Sequence, residues 1–356
     1  MAASDVLLLT GGTGFVGFAT LKYALQKGYH VRAAVRSQAK ADALHKNPVL
    51  ASFADRLTTI VVPDILASNA YDEAVNGAKY IVHVASPIPQ GDAMANAAVE
   101  GNTTDVEALL VKPAVQGTLN ILKSAKEHLS VKRIVITSSM VTVPSFGVLA
   151  GSETTDKVYG PDDRADEISP PCPVEIVAYV QAKIAALNAG DKWAKENKPV
   201  FDVITIYPSV VGGRHDNATS VADLLATTNA AFLAVVRGQE AVETSRPHIM
   251  AVIDVDDAAE AHIESLREDV EGGQAFLLTN RGGDLAWNDA KAIVNKHFSE
   301  AVEDGRLPNN GVSEPKWWIT TDGEKTEKTF GKLKSFEETI VGIVEQYLEL
   351  LTKETK

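Results

Sequence analysis

A glycine-rich segment near the start of the chain constrains its fold more than any other feature. The segment reads Gly11-Gly12-Thr13-Gly14-Phe15-Val16-Gly17, and it lies between an apolar run at 6–10 and a helical pattern at 18–27. A glycine turn between a first strand and a first helix presents backbone N–H groups and the positive end of the helix dipole to an anion. The segment therefore predicts binding of a dinucleotide pyrophosphate, and a tight turn without a ligand is the alternative.

Strand and helix patterns alternate over the first two-thirds of the chain. Runs rich in Val and Ile without polar alternation are typical of strands buried on both faces. Such runs occupy 6–10, 31–35, 57–62, 80–86, 133–137, 201–207 and 274–279. Helical patterns lie between them at 18–27, 38–44, 71–75, 114–127 and 174–196. The alternation predicts an α/β Rossmann fold with a doubly wound parallel sheet and right-handed crossovers.

The pattern changes after residue 208. Turn-forming residues occupy 212–217, and helical patterns follow at 224–237 and 335–351. We predict a dinucleotide-binding Rossmann part over 1–208, to which 250–280 returns. The segments 209–249 and 281–356 are predicted to form a smaller C-terminal substrate-binding lobe that ends in a helix. Ligands of open α/β sheets bind beyond the carboxyl ends of the strands, and we expect the lobe to lie over that crevice.

Composition and charge limit the classes of partner. The chain has 356 residues and a net charge of −13, which disfavours nucleic acid and anionic membranes because both repel an acidic surface. Its apolar runs are too short to span a bilayer, and a strand that starts by residue 6 leaves no room for a signal peptide. The single Cys172 excludes an internal disulfide, and the eight histidines show no metal-ligand spacing. These features predict a cytoplasmic protein with a small-molecule partner and no metal; they favour neither a monomer nor an oligomer.

The second predicted strand ends in cationic residues. In NAD-binding proteins a carboxylate at this place binds the ribose 2′-hydroxyl, whereas here Arg36 ends the strand and Lys40 follows one helical turn later. A guanidinium matches the oxygens of a 2′-phosphate, so the pair predicts NADPH; an exposed pair at a helix start is the alternative. Asp64, after the third strand, is placed to reach an adenine edge, with a turn or capping role as the alternative.

Tyr179 and Lys183 stand four residues apart, on one face of a predicted helix. An ammonium near a phenol lowers the pKa of the phenol, ordinarily about 10, which suits the pair to proton exchange with an alcohol or ketone oxygen. Ser138 and Ser139 follow the fifth strand. Because neighbouring strand residues point to opposite faces, we expect one of them to hydrogen bond the substrate oxygen; completion of the turn is the alternative.

Taken together, these motifs resemble the extended short-chain dehydrogenase/reductase family, in the branch of dihydroflavonol reductases, cinnamoyl-CoA reductases and fungal aldehyde or methylglyoxal reductases. Further matching segments are 82–87, 113–120, 207–212 and 254–259, so the resemblance covers nearly the whole chain. It implies Ser139 as the catalytic serine, Tyr179 as the acid/base, and Lys183 as a ligand of the nicotinamide ribose. The predicted cofactor contacts are Gly11, Thr13, Gly14, Phe15, Val16, Gly17, Arg36, Lys40, Asp64, Ile65, Val84, Ala85, Ser86, Tyr179, Lys183, Pro208, Val210 and Val211.

Two segments, 90–110 and 151–166, depart from the family pattern and are expected beside the substrate opening. The predicted substrate contacts are mainly apolar, which favours an aromatic, aliphatic or polyketide-like carbonyl. They are Pro87, Met140, Val141 and Tyr207. His83 is expected to be a strand residue without a catalytic role.

The sequence therefore predicts an NADPH-dependent carbonyl reductase. One alternative is a nucleotide-sugar epimerase or dehydratase of the same fold, which would normally carry an acidic residue where Arg36 stands. The other is a non-enzymatic NADP-binding regulatory protein, a class that tends to lose the tyrosine that this chain has at position 179.

Overall fold

A seven-stranded parallel sheet forms the centre of the protein. The computed structural model describes residues 5–86, 103–169, 172, 175–244, 251–280, 286–313 and 319–355. Its strands are β1 (Val6–Thr10), β2 (His30–Val35), β3 (Leu57–Val61), β4 (Ala78–His83), β5 (Arg133–Thr137), β6 (Asp202–Pro208), β7 (Val210–Gly212), β8 (Val252–Asp254) and β9 (Ala275–Leu278). The order in the large sheet is β3-β2-β1-β4-β5-β6-β9, and β7 pairs with β8 separately. The predicted doubly wound Rossmann fold is confirmed.

Helices cover both faces of this sheet, as the connections between parallel strands require. They are α1 (Phe15–Gln26), α2 (Gln38–Lys46), α3 (Asp72–Val75), α4 (Thr103–Lys126), α5 (Phe146–Leu149), α6 (Glu175–Asn197), α7 (Val221–Leu225), α8 (Asn229–Arg237), α9 (Gln239–Thr244), α10 (Val255–Glu264), α11 (Asp289–His297), α12 (Ser299–Glu303), α13 (Glu324–Phe330) and α14 (Phe336–Glu354). Two 3₁₀ segments occupy Pro48–Phe53 and Met140–Thr142. On one face α1 packs against α10, and on the other α4 packs against α6.

The first strand is apolar along its centre because both of its faces are buried. In β1, Leu7 and Leu9 belong to the core beneath α1 and α10, whereas Leu8 belongs to the core beneath α3 and α4. All three are fully buried. Full burial of a leucine stabilises a fold by about 1.5–3 kcal/mol, so an unbroken apolar run is favoured at every central strand.

Three features differ from the pattern-based expectations. Helix α4 begins at Thr103 and not at residue 114, because Pro113 lies inside the helix rather than at its start. The predicted helix over 224–237 is divided into α7 and α8. The pairing of β7 with β8 was not predicted, because strands of three residues are too short to show a period. Within the departing segment 90–110, residues 103–110 belong to α4, and the preceding part lies outside the described residues.

A second hydrophobic cluster lies apart from the sheet, among α8, α11 and α14. Its aromatic centre is formed by Phe232 and Trp287, whose ring centroids are 5.2 Å apart, with Phe336 at 6.2 Å from Phe232. These residues belong to the region predicted as the smaller lobe. The division of the chain into a Rossmann part and a substrate lobe stays a prediction.

The start of α14 is attached to the N-terminal end of α10 by a lysine and three aspartates. Lys334 Nζ lies 3.1 Å from Asp254 Oδ1 and 2.6 Å from Asp256 Oδ2. The Lys334 backbone N–H donates to Asp257 Oδ2 over 2.7 Å. Burial raises the pKa of Asp257 to about 7; the hydrogen bond from Lys334 opposes this rise, and the charge of Asp254 adds to it.

We expect Asp257→Asn to remove part of the pH dependence of stability. The folded protein keeps the Asp257 proton up to about pH 7, whereas the ordinary pKa of the group is 3.8. The stability from this protonation is complete below the ordinary pKa and is lost as the pH rises through about 7. Asparagine keeps an oxygen for the Lys334 N–H. The variant should therefore exceed the parent by about 1–2 kcal/mol in free energy of unfolding at pH 8, after allowance for solvent screening.

The measurement is urea unfolding at pH 4.5 and pH 8, and the two proteins should differ little at pH 4.5. Asp304→Asn is the control, because the Arg306 side chain lowers the pKa of Asp304 below its ordinary value of 3.8. Both test pH values lie above that value, so any change in stability in this variant should be the same at pH 4.5 and at pH 8. An Asp257→Asn effect of equal size at both pH values would contradict the assignment.

Candidate active site

The turn between β1 and α1 has no space for side chains at two of its glycines. The φ angle of Gly11 is +77°, and a Cβ there would lie 2.7 Å from the backbone nitrogen of Ala85. A Cβ on Gly17 would lie 2.0 Å from Gly11 O. The N-cap of α1 is Gly14, which has no side chain, so the first N–H groups of the helix are not capped by the N-cap residue. The turn is thus a tight backbone cradle that ends at an uncapped helix N-terminus, which suits an anion.

Residues after β4 are held against this turn by Thr10. The Ala85 N–H donates to Thr10 Oγ1 over 3.1 Å, and the same oxygen lies 2.9 Å from His83 Nδ1. Thr10 Oγ1 therefore joins the His83 ring and the Ala85 backbone at the end of β4. Burial lowers the pKa of His83 to about 4, and the charge of Lys183 acts in the same direction. His83 is therefore a neutral, buried strand residue.

Two cations at the end of β2 are available to a ligand. Arg36 and Lys40 are both exposed, and within the described ranges neither side chain has a hydrogen bond or an ion pair. Arg32 differs, because its guanidinium donates to Ala74 O and Asn76 O, each over 2.7 Å. Arg32 is thus occupied by the end of α3.

The loop after β3 is fixed by a residue to which the sequence analysis gave no role. Asn120 on α4 donates to Ile65 O over 2.7 Å and to Ala67 O over 3.0 Å. Asp64 Oδ1 accepts from the Leu66 N–H over 2.8 Å, which is the turn role considered as its alternative. The available signal for Asn120 was a polar side chain on an otherwise apolar helical face.

The three predicted catalytic residues lie together. Ser139 follows β5, is buried, and caps the 3₁₀ segment Met140–Thr142. Its side chain hydrogen bonds Tyr179 on α6. Lys183, one turn further along α6, has its Nζ 6.0 Å from the centroid of the Tyr179 ring. The strand end and one helix thus bring a hydroxyl, a phenol and an amine to the same place.

Burial dominates the charge balance of this group. Burial raises the pKa of Tyr179, and the hydrogen bond from Ser139 lowers it in part. Burial also lowers the pKa of Lys183 to about 8. The phenol pKa is therefore raised on balance by burial, and its depression by Lys183 stays a prediction.

Ser138 and Ser139 have different surroundings. The Ser138 N–H donates to Ile206 O over 2.8 Å, while its Oγ is buried and has no hydrogen-bond partner among the described residues. The preceding Thr137 points to the opposite face, where its Oγ1 lies 2.7 Å from His262 Nε2. His262 Nδ1 in turn lies 2.6 Å from Ala258 O. Sequence reasoning missed His262, which fixes the end of β5 from α10.

The predicted substrate residues have unequal exposure. Pro87 lies outside the described residues. Met140 and Tyr207 are buried in one cluster beneath α6, and no described residue hydrogen bonds the Tyr207 hydroxyl. Val141 keeps partial exposure. Contact of these residues with a substrate stays a prediction, and Val141 is the one with surface available in this structure.

The predicted loop at 151–166 lies beside Ser139. The Ala165 N–H donates to Thr142 O over 2.9 Å, at the end of the 3₁₀ segment that Ser139 caps. The Tyr159 N–H donates to Thr320 O over 2.9 Å, and the Asp322 N–H donates to Tyr159 O over 2.8 Å. The loop is therefore joined both to the catalytic serine segment and to residues 320–322.

The remaining predicted cofactor residues follow β6. Pro208 is the last residue of β6, and Val210 and Val211 open β7. The Ser209 N–H donates to Leu278 O over 3.0 Å and the Val210 N–H donates to Ala251 O over 2.9 Å, so the chain passes from the large sheet to the β7–β8 pair here. In the part of the chain described, no helix has the length and apolarity needed to cross a membrane, and no cluster of potential metal ligands is found.

Comparisons with known proteins agree with this architecture. The model of the NAD dependent epimerase/dehydratase family matches residues 7–278. Ketoreductase CTB6 of Cercospora nicotianae is 36% identical over 360 residues, which cover 99% of this chain and 97% of the relative. The putative NADPH-dependent methylglyoxal reductase GRP2 of Candida albicans is 27% identical and covers 98% of this chain and 100% of its own. The solved structure of Gre2 from Candida albicans with NADPH has a TM-score of 0.77 at 25% identity, with 97% and 99% coverage.

We expect Gly17→Ala to destabilise the protein although alanine is the better helix former. The added methyl group would meet the Gly11 carbonyl at 2.0 Å, so α1 would have to move. The expected loss is about 1–3 kcal/mol in free energy of unfolding, measured by urea titration without cofactor. Gly14→Ala is the matched control, because the nearest atom to its Cβ is 3.5 Å away. Equal losses in the two variants would contradict the close approach.

Proposed function

Because this chain belongs to the NAD dependent epimerase/dehydratase family, within the extended short-chain dehydrogenases/reductases, we propose that it is an NADPH-dependent carbonyl reductase. The observation that carries the proposal is the meeting of Ser139, Tyr179 and Lys183 at the carboxyl end of β5. Ala85, which contacts the glycine turn at Gly11, lines the same cavity as Lys183. The names of the relatives, a ketoreductase and an NADPH-dependent methylglyoxal reductase, support the same chemistry.

The residues present suit a phosphorylated dinucleotide. The cradle at Gly11 and Gly17 would receive the pyrophosphate, because a side chain at either position would fill it. Arg36 and Lys40 are exposed and unpaired within the described ranges, so they would bind a 2′-phosphate without giving up another partner. A guanidinium offers paired donors to phosphate oxygens, and Lys40 adds a point charge. This set favours NADPH over NADH.

The chain's own groups would handle the proton and the carbonyl oxygen. When bound, the reduced nicotinamide supplies the hydride. Ser139 would donate a hydrogen bond to the carbonyl oxygen, and Tyr179 would donate its proton to the same oxygen as negative charge develops there. The raised pKa of Tyr179 keeps the phenol protonated near neutral pH, which is the form that a reduction requires.

Lys183 would act on the tyrosine and on the cofactor ribose. Its ammonium lies over the Tyr179 ring at 6.0 Å, and a positive charge there favours the phenolate left after proton transfer. Its three donors would also bind the hydroxyls of the nicotinamide ribose. In this proposal the substrate is a small carbonyl compound and the protein is cytoplasmic.

A net reduction separates this proposal from the epimerase alternative. A carbonyl reductase consumes one NADPH for each alcohol formed, whereas an epimerase returns its hydride and consumes none. The test is to incubate the purified protein with NADPH and a panel of aromatic, aliphatic and polyketide-like ketones, and to follow cofactor absorbance and product together. Tightly bound NAD with sugar-nucleotide isomerisation and no net consumption would overturn the proposal.

We expect Arg36→Ala to raise the Michaelis constant for NADPH about 10- to 100-fold, because a charge-assisted hydrogen bond contributes about 1.5–3 kcal/mol. The constant for NADH, which lacks the 2′-phosphate, should change little. Arg32→Ala is the matched control. Its guanidinium bonds Ala74 O and Asn76 O, so it should lower the melting temperature and leave the ratio of the two constants unchanged. Equal use of NADPH and NADH by the parent would contradict the assignment.

We expect Tyr179→Phe to lower kcat about 10²- to 10⁴-fold, since it removes the proton donor and keeps the ring. NADPH affinity, measured by fluorescence titration, should stay within about twofold of the parent value. Tyr29→Phe is the control, because Tyr29 is buried against Tyr80 just before β2, at the amino end of the sheet. A Tyr179→Phe protein with most of its turnover intact would assign the proton to another group.

A further inference from the structure

A cavity of about 50 Å³ lies between the sheet and the helices α4 and α6. Its wall runs along α6 from Lys183 to Ala194, which is about three helical turns. At one end it reaches Ala85 beside the glycine turn, and at the other it reaches Gly190 and Asp191 near the protein surface. A buried water needs about 10–15 Å³, so the cavity has room for a few water molecules.

Ser138 gives this cavity an unused hydrogen-bonding group. Its Oγ is buried, has no hydrogen-bond partner within the described part of the chain, and belongs to a residue of the cavity wall. The proposed chemistry does not use it, because Ser139 is the serine that bonds Tyr179. A buried hydroxyl without a partner costs about 1–3 kcal/mol, so such groups are normally satisfied by protein or by water.

Lys183 reaches the same cavity without a counter-ion. It is 7% exposed, and among the residues that the structure describes it has no ion pair. The groups that face it are a neutral His83 from β4 and Tyr179 from its own helix; Asp191 lies at the far end of the cavity, where it pairs with Arg164 at 3.9 Å. The cavity walls from α4 and β6 add Thr118 and Thr205 but no titratable side chain.

We propose that this cavity is a hydration site in which water held by Ser138 Oγ solvates the Lys183 ammonium in place of a carboxylate. The water would accept from Lys183 and exchange hydrogen bonds with the Ser138 hydroxyl. The open end near Gly190 and Asp191 gives it access to solvent. Ser138 is then a positioning residue that acts through Lys183. The link to catalysis rests on the proposed function; the hydration site itself does not.

Solvation by this water matters because the pKa of Lys183 lies close to physiological pH. Burial lowers the pKa of Lys183 to about 8, so a further loss of solvation would leave it neutral near physiological pH. A neutral amine would give up the charge that favours the Tyr179 phenolate. Water at Ser138 would therefore decide whether Lys183 carries its charge at neutral pH.

The test is to titrate Lys183 in the cofactor-free protein by NMR of ¹³Cε-labelled lysine, with the signal assigned through its loss in Lys183→Arg. Ser138→Ala should lower the Lys183 pKa by about one unit, the size of one lost hydrogen bond to a charged group. Ser138→Thr keeps the hydroxyl and should restore the parent value. Ser265→Ala is the matched control, because that buried serine donates to Ala261 O on α10. An unchanged Lys183 titration in Ser138→Ala would overturn the proposal.

A second variant covers the case in which Ser138→Ala does not fold. Gly190→Ala adds a methyl group 3.4 Å from Thr118 Cγ2, an ordinary contact that narrows the cavity, and it should lower the Lys183 pKa in the same direction. In kinetic measurements, Ser138→Ala should shift the pH profile of kcat by the same amount as the NMR titration while NADPH affinity stays constant. Absence of carbonyl reduction by the parent protein would reject the proposed function and leave the titration as an independent test of the hydration site.

Discussion

The close approach of the end of β1 to the end of β4 is the contact on which the rest of the site depends. Gly11 comes so near to Ala85 that a single methyl group would not fit, and Thr10 bonds both Ala85 and His83 across the same gap. In the sheet order, β1 and β4 are the neighbours at which the direction of the strand order reverses, where open α/β sheets form their ligand crevice. The glycine turn and residues 83–86 are therefore the two walls of one crevice.

Burial acts in opposite directions on the phenol and the amine of the site. It raises the pKa of Tyr179 and lowers that of Lys183, so the low-dielectric surroundings favour the neutral form of both groups. A reductase needs the first of these effects, because its tyrosine must hold a proton to donate. The second effect works against the lysine, whose value depends on its charge. Polar atoms around the Lys183 ammonium must offset the cost of burying its charge, since the described residues supply no carboxylate there.

The sequence predicted the parts of the fold that repeat and missed those that depend on distant partners. The strands at Val6–Thr10 and Arg133–Thr137 agree with the prediction residue for residue, because burial on both faces gives a local apolar signal. The start of α4 was misplaced because Pro113 breaks isolated helices, whereas packing against α6 holds this one. The positions of Tyr179 and Lys183 on one helix were predictable from spacing. The rise in the Tyr179 pKa was not, because it reflects burial by elements far apart in sequence.

The C-terminal region also holds the glycine turn, which no local pattern indicated. Asn217 Nδ2 donates to Thr13 O over 3.3 Å, and the ring of His215 packs edge-on against Phe15 with centroids 5.0 Å apart. Gln346 on α14 bonds both the N–H and the carbonyl of His215. A chain of contacts therefore runs from α14 through His215 to the first residue of α1. Because these contacts fix the backbone of the turn from outside, the region predicted to cover the substrate also determines the shape of the anion cradle, and the two regions stabilise each other.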